Sequence, residues 1–173
     1  TLTGHFLGTR EGRARFAPPT AGMWSYESVS SDPGLGGANG SVSCTAWTGS
    51  ELQENPVRRG FIRVAKNGHH FEYADGTPFL WIGDTWWNWA KKGINFSTFQ
   101  KLVDDRVAKG FTVGQMLISG GALLDRAGER PDLEQIRNVE RMIGYANSRG
   151  ITVWIHAWWS GKTFRDQVGE VKA

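Results

Sequence analysis

Phe79-Leu80-Trp81-Ile82-Gly83-Asp84-Thr85-Trp86-Trp87 opens on four consecutive apolar residues and closes on a carboxylate, a hydroxyl and two indoles. A short unbroken apolar run is what a strand covered on both faces requires, so residues 79–82 predict a buried strand. The polar and aromatic burst then falls at its C-terminal end.

Downstream the rhythm lengthens. Ser97 and Gln100 have capping-box spacing, and Phe99, Leu102, Val103 and Val107 recur on one helical face before Gly110. A second buried strand is expected directly afterwards, from Phe111 to Ile118. Asp132 is placed to cap a further helix whose apolar face is Leu133, Ile136, Val139, Ile143 and Ala146, and Gly150 closes it before a third strand, Ile151 to Ile155. This β-α-β-α-β series predicts a parallel sheet. A full barrel takes roughly 250 residues, so the stretch from Phe79 to Ala173 is expected to supply three strand–helix units. A doubly wound open sheet starts the same way. What favours the barrel is that each strand ends in residues suited to a ligand: Asp84 to Trp87 after the first, Ser119-Gly120-Gly121 after the second, which also contains Gln115, and His156-Ala157-Trp158-Trp159 after the third. In a barrel these ends converge on one face.

Upstream the pattern is strand and turn. Trp24, Tyr26 and Ser28 alternate with Met23, Ser25, Glu27 and Val29, as in a half-buried strand, and Val42, Cys44 and Ala46 repeat the alternation. Between them lies a Ser-, Gly-, Asp- and Pro-rich loop, Ser30 to Gly40; its Gly34-Leu35-Gly36-Gly37 joins strands instead of opening a helix, so it reads as a plain loop. Thr48 to Gly60 has no apolar periodicity and reads as a linker. Asn67-Gly68 and Asp75-Gly76 are hairpin turns, with His69 and His70 placed on opposite faces of a hairpin strand. The fold class expected is therefore a β-sandwich fragment (1–55), a linker with hairpins (56–78), and an α/β segment, the first three units of an incomplete (β/α)8 TIM barrel (79–173). Three parallel strands with an unpaired last edge are expected to aggregate or unfold in part if left alone.

The 173 residues are 39% hydrophobic and 21% charged, a globular composition. Twenty basic residues face seventeen acidic ones, and the bases are scattered except at Arg58, Arg59, Arg63 and Lys66, which argues against a nucleic-acid partner. Cys44 is the single cysteine, so no intrachain disulfide forms. No apolar run approaches the roughly 20 residues of a membrane span. The chain starts on Thr1, from which a processed or truncated N-terminus is expected.

Nine Trp residues are many for this length, and five cluster in Trp86-Trp87-Asn88-Trp89 and Trp158-Trp159. Indole faces stack on the apolar faces of sugar rings while neighbouring Asp, Gln and His bond hydroxyls. The alternative is that such rings pack helices against strand ends. The candidate substrate-binding residues are Asp84, Trp86, Trp87, Gln115, His156, Trp158 and Trp159. Asp84 reads either as a loop-ordering residue or as an acceptor for a substrate hydroxyl, and His156 either as structural or as a proton carrier. Glycoside hydrolysis needs two carboxyl groups, and no second one sits at a strand end: Asp125, Glu129, Asp166 and Glu170 lie in loops or helix starts. Metal-ligand spacing is absent, and no metal site is expected. Gly161-Lys162-Thr163 lacks the earlier glycine of a P-loop, since His156 stands there, and no Gly-x-Ser-x-Gly elbow occurs.

The run Phe71 to Trp87, followed by Asp105-Arg106-Val107-Ala108-Lys109-Gly110-Phe111-Thr112-Val113, resembles the start of the apiosidase-like glycoside hydrolase catalytic domain. Arg15-Phe16-Ala17-Pro18 and Gly22-Met23-Trp24-Ser25-Tyr26 resemble the end of the β-sandwich domain that often precedes it. The resemblance implies a (β/α)8 barrel without cofactor, in an exported bacterial protein, secreted, periplasmic or at the cell surface. It implies action on side chains of plant or microbial polysaccharides or oligosaccharides. Asp84, Trp86 and Trp87 match the family's strand-one motif and by that likeness line the sugar pocket, with the catalytic carboxylates on strands beyond Ala173. A glycan-binding or surface-attachment protein without catalysis is the alternative reading of the same Trp clusters.

Overall fold

The computed structural model describes residues 5–6, 12–13, 18, 20–118, 123 and 132–156. The chain forms two compact units, Thr1–Gly49 and Ser50–Ala173. In the first, β1 (His5–Phe6) pairs antiparallel with β2 (Gly12–Arg13), and β3 (Gly22–Glu27) with β4 (Asn39–Cys44). The loop between β3 and β4 is a turn, as its composition requires. Ser28 N–H donates to Ala38 C=O at 2.7 Å, and Asp32 Oδ1 accepts from Gly34 N–H at 2.8 Å. The half-buried alternation expected for β3 is not found: Met23 and Tyr26, on opposite faces, are both exposed. Among the described residues no second sheet covers either face.

The second unit begins where a linker was expected. Instead of irregular chain, α1 (Gly49–Glu54) leads into a 3-10 turn at Pro56–Arg59. Asn55 is the reason. Its Oδ1 accepts from Val57 N–H at 3.1 Å, capping the turn, while its Nδ2 donates to Asn147 C=O at 3.0 Å, at the C-terminal end of the helix Leu133–Ser148. Polarity here serves as a cap rather than a spacer. The compact units accordingly divide between Gly49 and Ser50.

Next, β5 (Ile62–Val64), β6 (Phe71–Tyr73) and β7 (Pro78–Phe79) form an antiparallel sheet whose two turns place Gly68 and Gly76 at φ 74° and 86°. Both expected hairpins are present. His69 and His70, however, lie in the bend before β6, not in a strand. Three of the four basic residues here are matched by carboxylates: Arg58 with Glu54 at 3.1 Å, Arg59 with Asp75 and Arg63 with Glu72, both at 2.8 Å.

The core of the unit is a parallel sheet in the order β8-β9-β10, with β8 at Gly83–Trp86, β9 at Val113–Leu117 and β10 at Thr152–His156. The first of these differs from expectation. Phe79 ends β7, and Leu80, Trp81 and Ile82 are exposed connecting chain; Leu80 retains 69% of its accessible surface. The apolar run is consumed by an aromatic cluster at the hairpin sheet, where Phe79 meets Tyr73 and Trp81 edge-on at 5.2 and 5.9 Å. The parallel strand starts only at Gly83, so Asp84 sits within it rather than after it.

Two helices cover one face of this sheet: α2 (Phe96–Ala108) and α3 (Leu133–Ser148). The α2 cap is Asn95, not Ser97: Asn95 Oδ1 accepts from Ser97 N–H at 2.8 Å. Asp132 caps α3 as expected, accepting from Gln135 N–H at 3.0 Å. Gly110 and Gly150 follow the helix ends with φ 77° and 84°, the left-handed region that favours glycine. Trp86, Phe99, Val103, Met116, Val139, Met142 and Ala146 make the buried core between sheet and helices. The face of α3 turned inward includes Gln135, which sequence periodicity does not select; its side-chain amide donates to Ala90 C=O at 2.6 Å, satisfying a buried loop carbonyl.

Candidate open-face site

Which residues can meet a ligand follows from strand parity, since neighbouring side chains on a strand point to opposite faces. The register aligns Asp84 with Gly114, Thr85 with Gln115 and Trp86 with Met116 on one side, and Gly114 with Val153, Gln115 with Trp154 and Met116 with Ile155 on the other. Met116 and Trp86 belong to the helix-side core. Thr85, Gln115 and Trp154 therefore lie in a row on the opposite, open face, followed by Leu117 and His156.

The expected site residues separate along this division. Trp86 is core: 1% exposed, edge-on to Phe99 at 5.5 Å, its six-membered ring lying over Gly114, where no other residue leaves room. Its indole N–H is buried without a hydrogen-bond partner among the described residues. Asp84 shares that face. Its Oδ2 pairs with Arg106 Nε from α2, and its Oδ1 accepts from Thr85 N–H at 2.8 Å. The Asp84 hydrogen bond in turn raises the Arg106 guanidinium pKa above its ordinary value. In this arrangement Asp84 ties strand to helix.

Trp87, Gln115 and His156 come together on the open face. The Gln115 amide nitrogen meets His156 Nε2, and the Trp87 and His156 rings lie 5.7 Å apart at 60°. Trp154, which the sequence pattern did not single out because it sits inside a strand, lies against His156 at 4.7 Å and 36°. Trp81 in turn stands edge-on to Trp154 at 5.3 Å. The aromatic line Trp81, Trp154, His156, Trp87 thus runs along the open face, with Trp154 44% exposed. Period-two counting back from His156 was the signal that could have found Trp154. Trp158 and Trp159 lie outside the described residues, as do Ser119 to Gly121, Asp125, Glu129, Gly161-Lys162-Thr163, Asp166 and Glu170.

Among the described residues no group of three or more His, Cys, Asp or Glu could hold a metal ion, and no helix is long and apolar enough to cross a membrane. A cleft of about 640 Å³ lies away from the open face, between residues 92–96 and α3. Its cations are engaged locally: Lys92 with Asp132 at 2.8 Å, and Arg141 over the Phe96 ring at 3.9 Å.

A crystal structure of a glycoside hydrolase family 5 protein from Bacteroides vulgatus ATCC 8482 superposes with a TM-score of 0.53 at 19% identity, over 65% of this chain and 28% of its own, a likeness of fold. Another solved structure, described as a glycoside hydrolase, aligns over 58% of this chain and 26% of its own at 16% identity, with a TM-score of 0.48. The chain spans about a quarter of the length of these structures. No curated protein sequence matches it. The sequence profile described as "Apiosidase-like, catalytic domain" matches residues 65–173, well over half of the chain, and covers the three parallel strands and both helices packed on them. The chain therefore belongs to the apiosidase-like catalytic domain family.

Proposed function

We propose that this chain supplies one wall of the carbohydrate site of a glycoside hydrolase that trims side chains of plant or microbial polysaccharides. The observation that carries the reading is the open face itself, where Trp87 and Trp154 offer indole surface beside the hydrogen-bonding groups of Gln115 and His156. A stacking surface rimmed by a few polar groups is the usual recipe for a sugar. On this reading β8, β9 and β10 are the first three strands of a (β/α)8 barrel and the open face is its interior, a proposal supported by the family and by the fold likeness. The residues 1–55 are then the end of a preceding sandwich domain, and the protein is exported from a bacterial cell. Trp158 and Trp159, which follow β10 in the sequence, are proposed as further substrate-binding residues on their residue type alone.

Cleavage would proceed by the two-carboxylate route, with the carboxyls about 5–5.5 Å apart for retention or 6.5–9.5 Å for inversion. β8, β9 and β10 carry one carboxylate, Asp84, and it faces the helices. On this reading both catalytic groups belong to parts of the barrel other than these three strands. That same observation favours a second reading, glycan binding without turnover. The two are separated by incubating the full-length protein with a panel of branched plant and microbial oligosaccharides and following released sugar. Release that Trp87→Ala and Trp154→Ala each reduce supports the hydrolase reading. Retention of oligosaccharides without any release supports the second, and release unaffected by both substitutions rules out the open face.

A further inference from the structure

We infer that Gln115 is a positioning residue that fixes His156 in the Nδ1–H tautomer, so that His156 meets the sugar as a hydrogen-bond donor through Nδ1. A neutral imidazole carries one N–H and one bare nitrogen, and the partner of one nitrogen decides the state of the other. The group facing His156 Nε2 is the amide nitrogen of Gln115, which only donates. Nε2 must then accept, and the ring proton resides on Nδ1.

The surroundings hold the ring in that role. Trp154 lies along one side of it and Trp87 meets it obliquely, so the imidazole is framed by two indoles while Gln115 occupies its Nε2 edge. All these groups belong to the same sheet face: Gln115 is directly across from Trp154 in the β9–β10 register, and His156 is the next residue along on that side. Nδ1–H is what remains to offer a ligand oxygen. The inference rests on the open face being the sugar-binding side, since that supplies the acceptor; the tautomer assignment rests on the Gln115–His156 contact and on the ring's place between the two indoles.

The test is the 15N spectrum of intact protein labelled at histidine, recorded at about pH 8, where an ordinary imidazole is neutral. The protein has four His residues, and the His156 signals are identified by their loss in His156→Gln. The expected result is a protonated Nδ1 and a bare Nε2 in the unsubstituted protein. In Gln115→Glu the carboxylate can only accept, so Nε2 takes a proton, and at a pH high enough to keep the ring neutral Nδ1 gives its proton up. In the same variant KM for the oligosaccharide that is cleaved rises about tenfold, the equivalent of one lost hydrogen bond, while the ring stays in place. A protonated Nε2 in the unsubstituted protein overturns the assignment without any variant having to fold. An inverted tautomer in Gln115→Glu with KM unchanged overturns the contact between Nδ1 and the sugar, and leaves the Gln115–His156 assignment standing.

Discussion

Replacing Gly114 with Ala tests the division of the sheet into a packed face and an open one. A Cβ at this position would lie 2.2, 2.3 and 2.5 Å from three atoms of the Trp86 six-membered ring. Carbon atoms in contact settle at about 3.5–4.0 Å, so the ring must retreat by more than an ångström. Trp86 has nowhere to go, because it is buried and braced on Phe99. Overpacking of this kind costs roughly 1–3 kcal/mol, and a rigid indole belongs at the upper end. Gly114 has no positive φ to relieve, so the substitution also removes unfolded-state freedom, worth about 0.4–1 kcal/mol in favour of the variant. The net expectation is a loss of about 2 kcal/mol. For a domain of this size that lowers Tm by about 4–8 °C, measured by calorimetry on the intact protein. Gly144→Ala is the control, since nothing lies within 4 Å of its Cβ on the exposed side of α3, and a helical alanine should stabilise by about 0.5–1 kcal/mol. Trp86→Phe combined with Gly114→Ala should recover part of the loss. A Gly114→Ala protein that melts with or above the parent would refute the placement of Trp86 on the helix side, and with it the exclusion of Asp84 from the open face.

Three further outcomes are expected. Trp86→Ala should cost about 3–5 kcal/mol of stability, whereas Trp87→Ala should leave the melting temperature within a degree or two and act on oligosaccharide binding instead; equal thermal effects would contradict the parity assignment. Asn95→Ala should destabilise α2 by about 1 kcal/mol and Ser97→Ala by a few tenths, read as urea midpoints, and the reverse order would restore Ser97 as the cap. Although burial alone would raise the Asp75 carboxyl, bonds from Thr77 and from Arg59 outweigh it and hold its pKa below the ordinary 3.8. A depressed carboxylate stabilises the fold above its unfolded-state pKa. That contribution fades as pH falls through and below the ordinary Asp range, so Asp75→Asn should flatten the acid limb of a melting-temperature profile between about pH 5 and 2.

Much of the fold was legible because it is written in local chemistry. Asp132 capping α3, the Gly110 and Gly150 helix ends, and the two hairpin turns are single-residue demands that any chain must meet in the same way. The first parallel strand was misplaced because its signal is not local. Gly83-Asp84-Thr85-Trp86 contains two poor strand formers, and it is a strand because Gly114, thirty residues later, leaves space for an indole. The louder apolar run beside it belongs to the hairpin cluster. The strand lies four residues beyond that run, so parity is unchanged but the strand-end motif becomes strand interior, and Asp84 and Trp86 part from Trp87. Of the site, Trp87, Gln115 and His156 were readable as polar and aromatic punctuation, and Trp154 was not, because a Trp among Val and Ile reads as core. Whether it is covered depends on chain far from it in sequence.

Asn55 bears on how this protein is cut. The family profile begins at residue 65, and a designer trimming to it would remove α1, Asn55 and Pro56. The carbonyls of Asn147 and Ser148 would lose the amide that Asn55 now presents to them at 3.0 and 3.4 Å, and Gly150 would lose the Pro56 ring that a Cβ there would meet at 3.3 Å. Those groups form the hinge between α3 and β10, the strand that bears Trp154 and His156. An expression boundary drawn by homology alone would therefore loosen the sugar-facing strand from behind, and one drawn ahead of Ser50 would keep it seated.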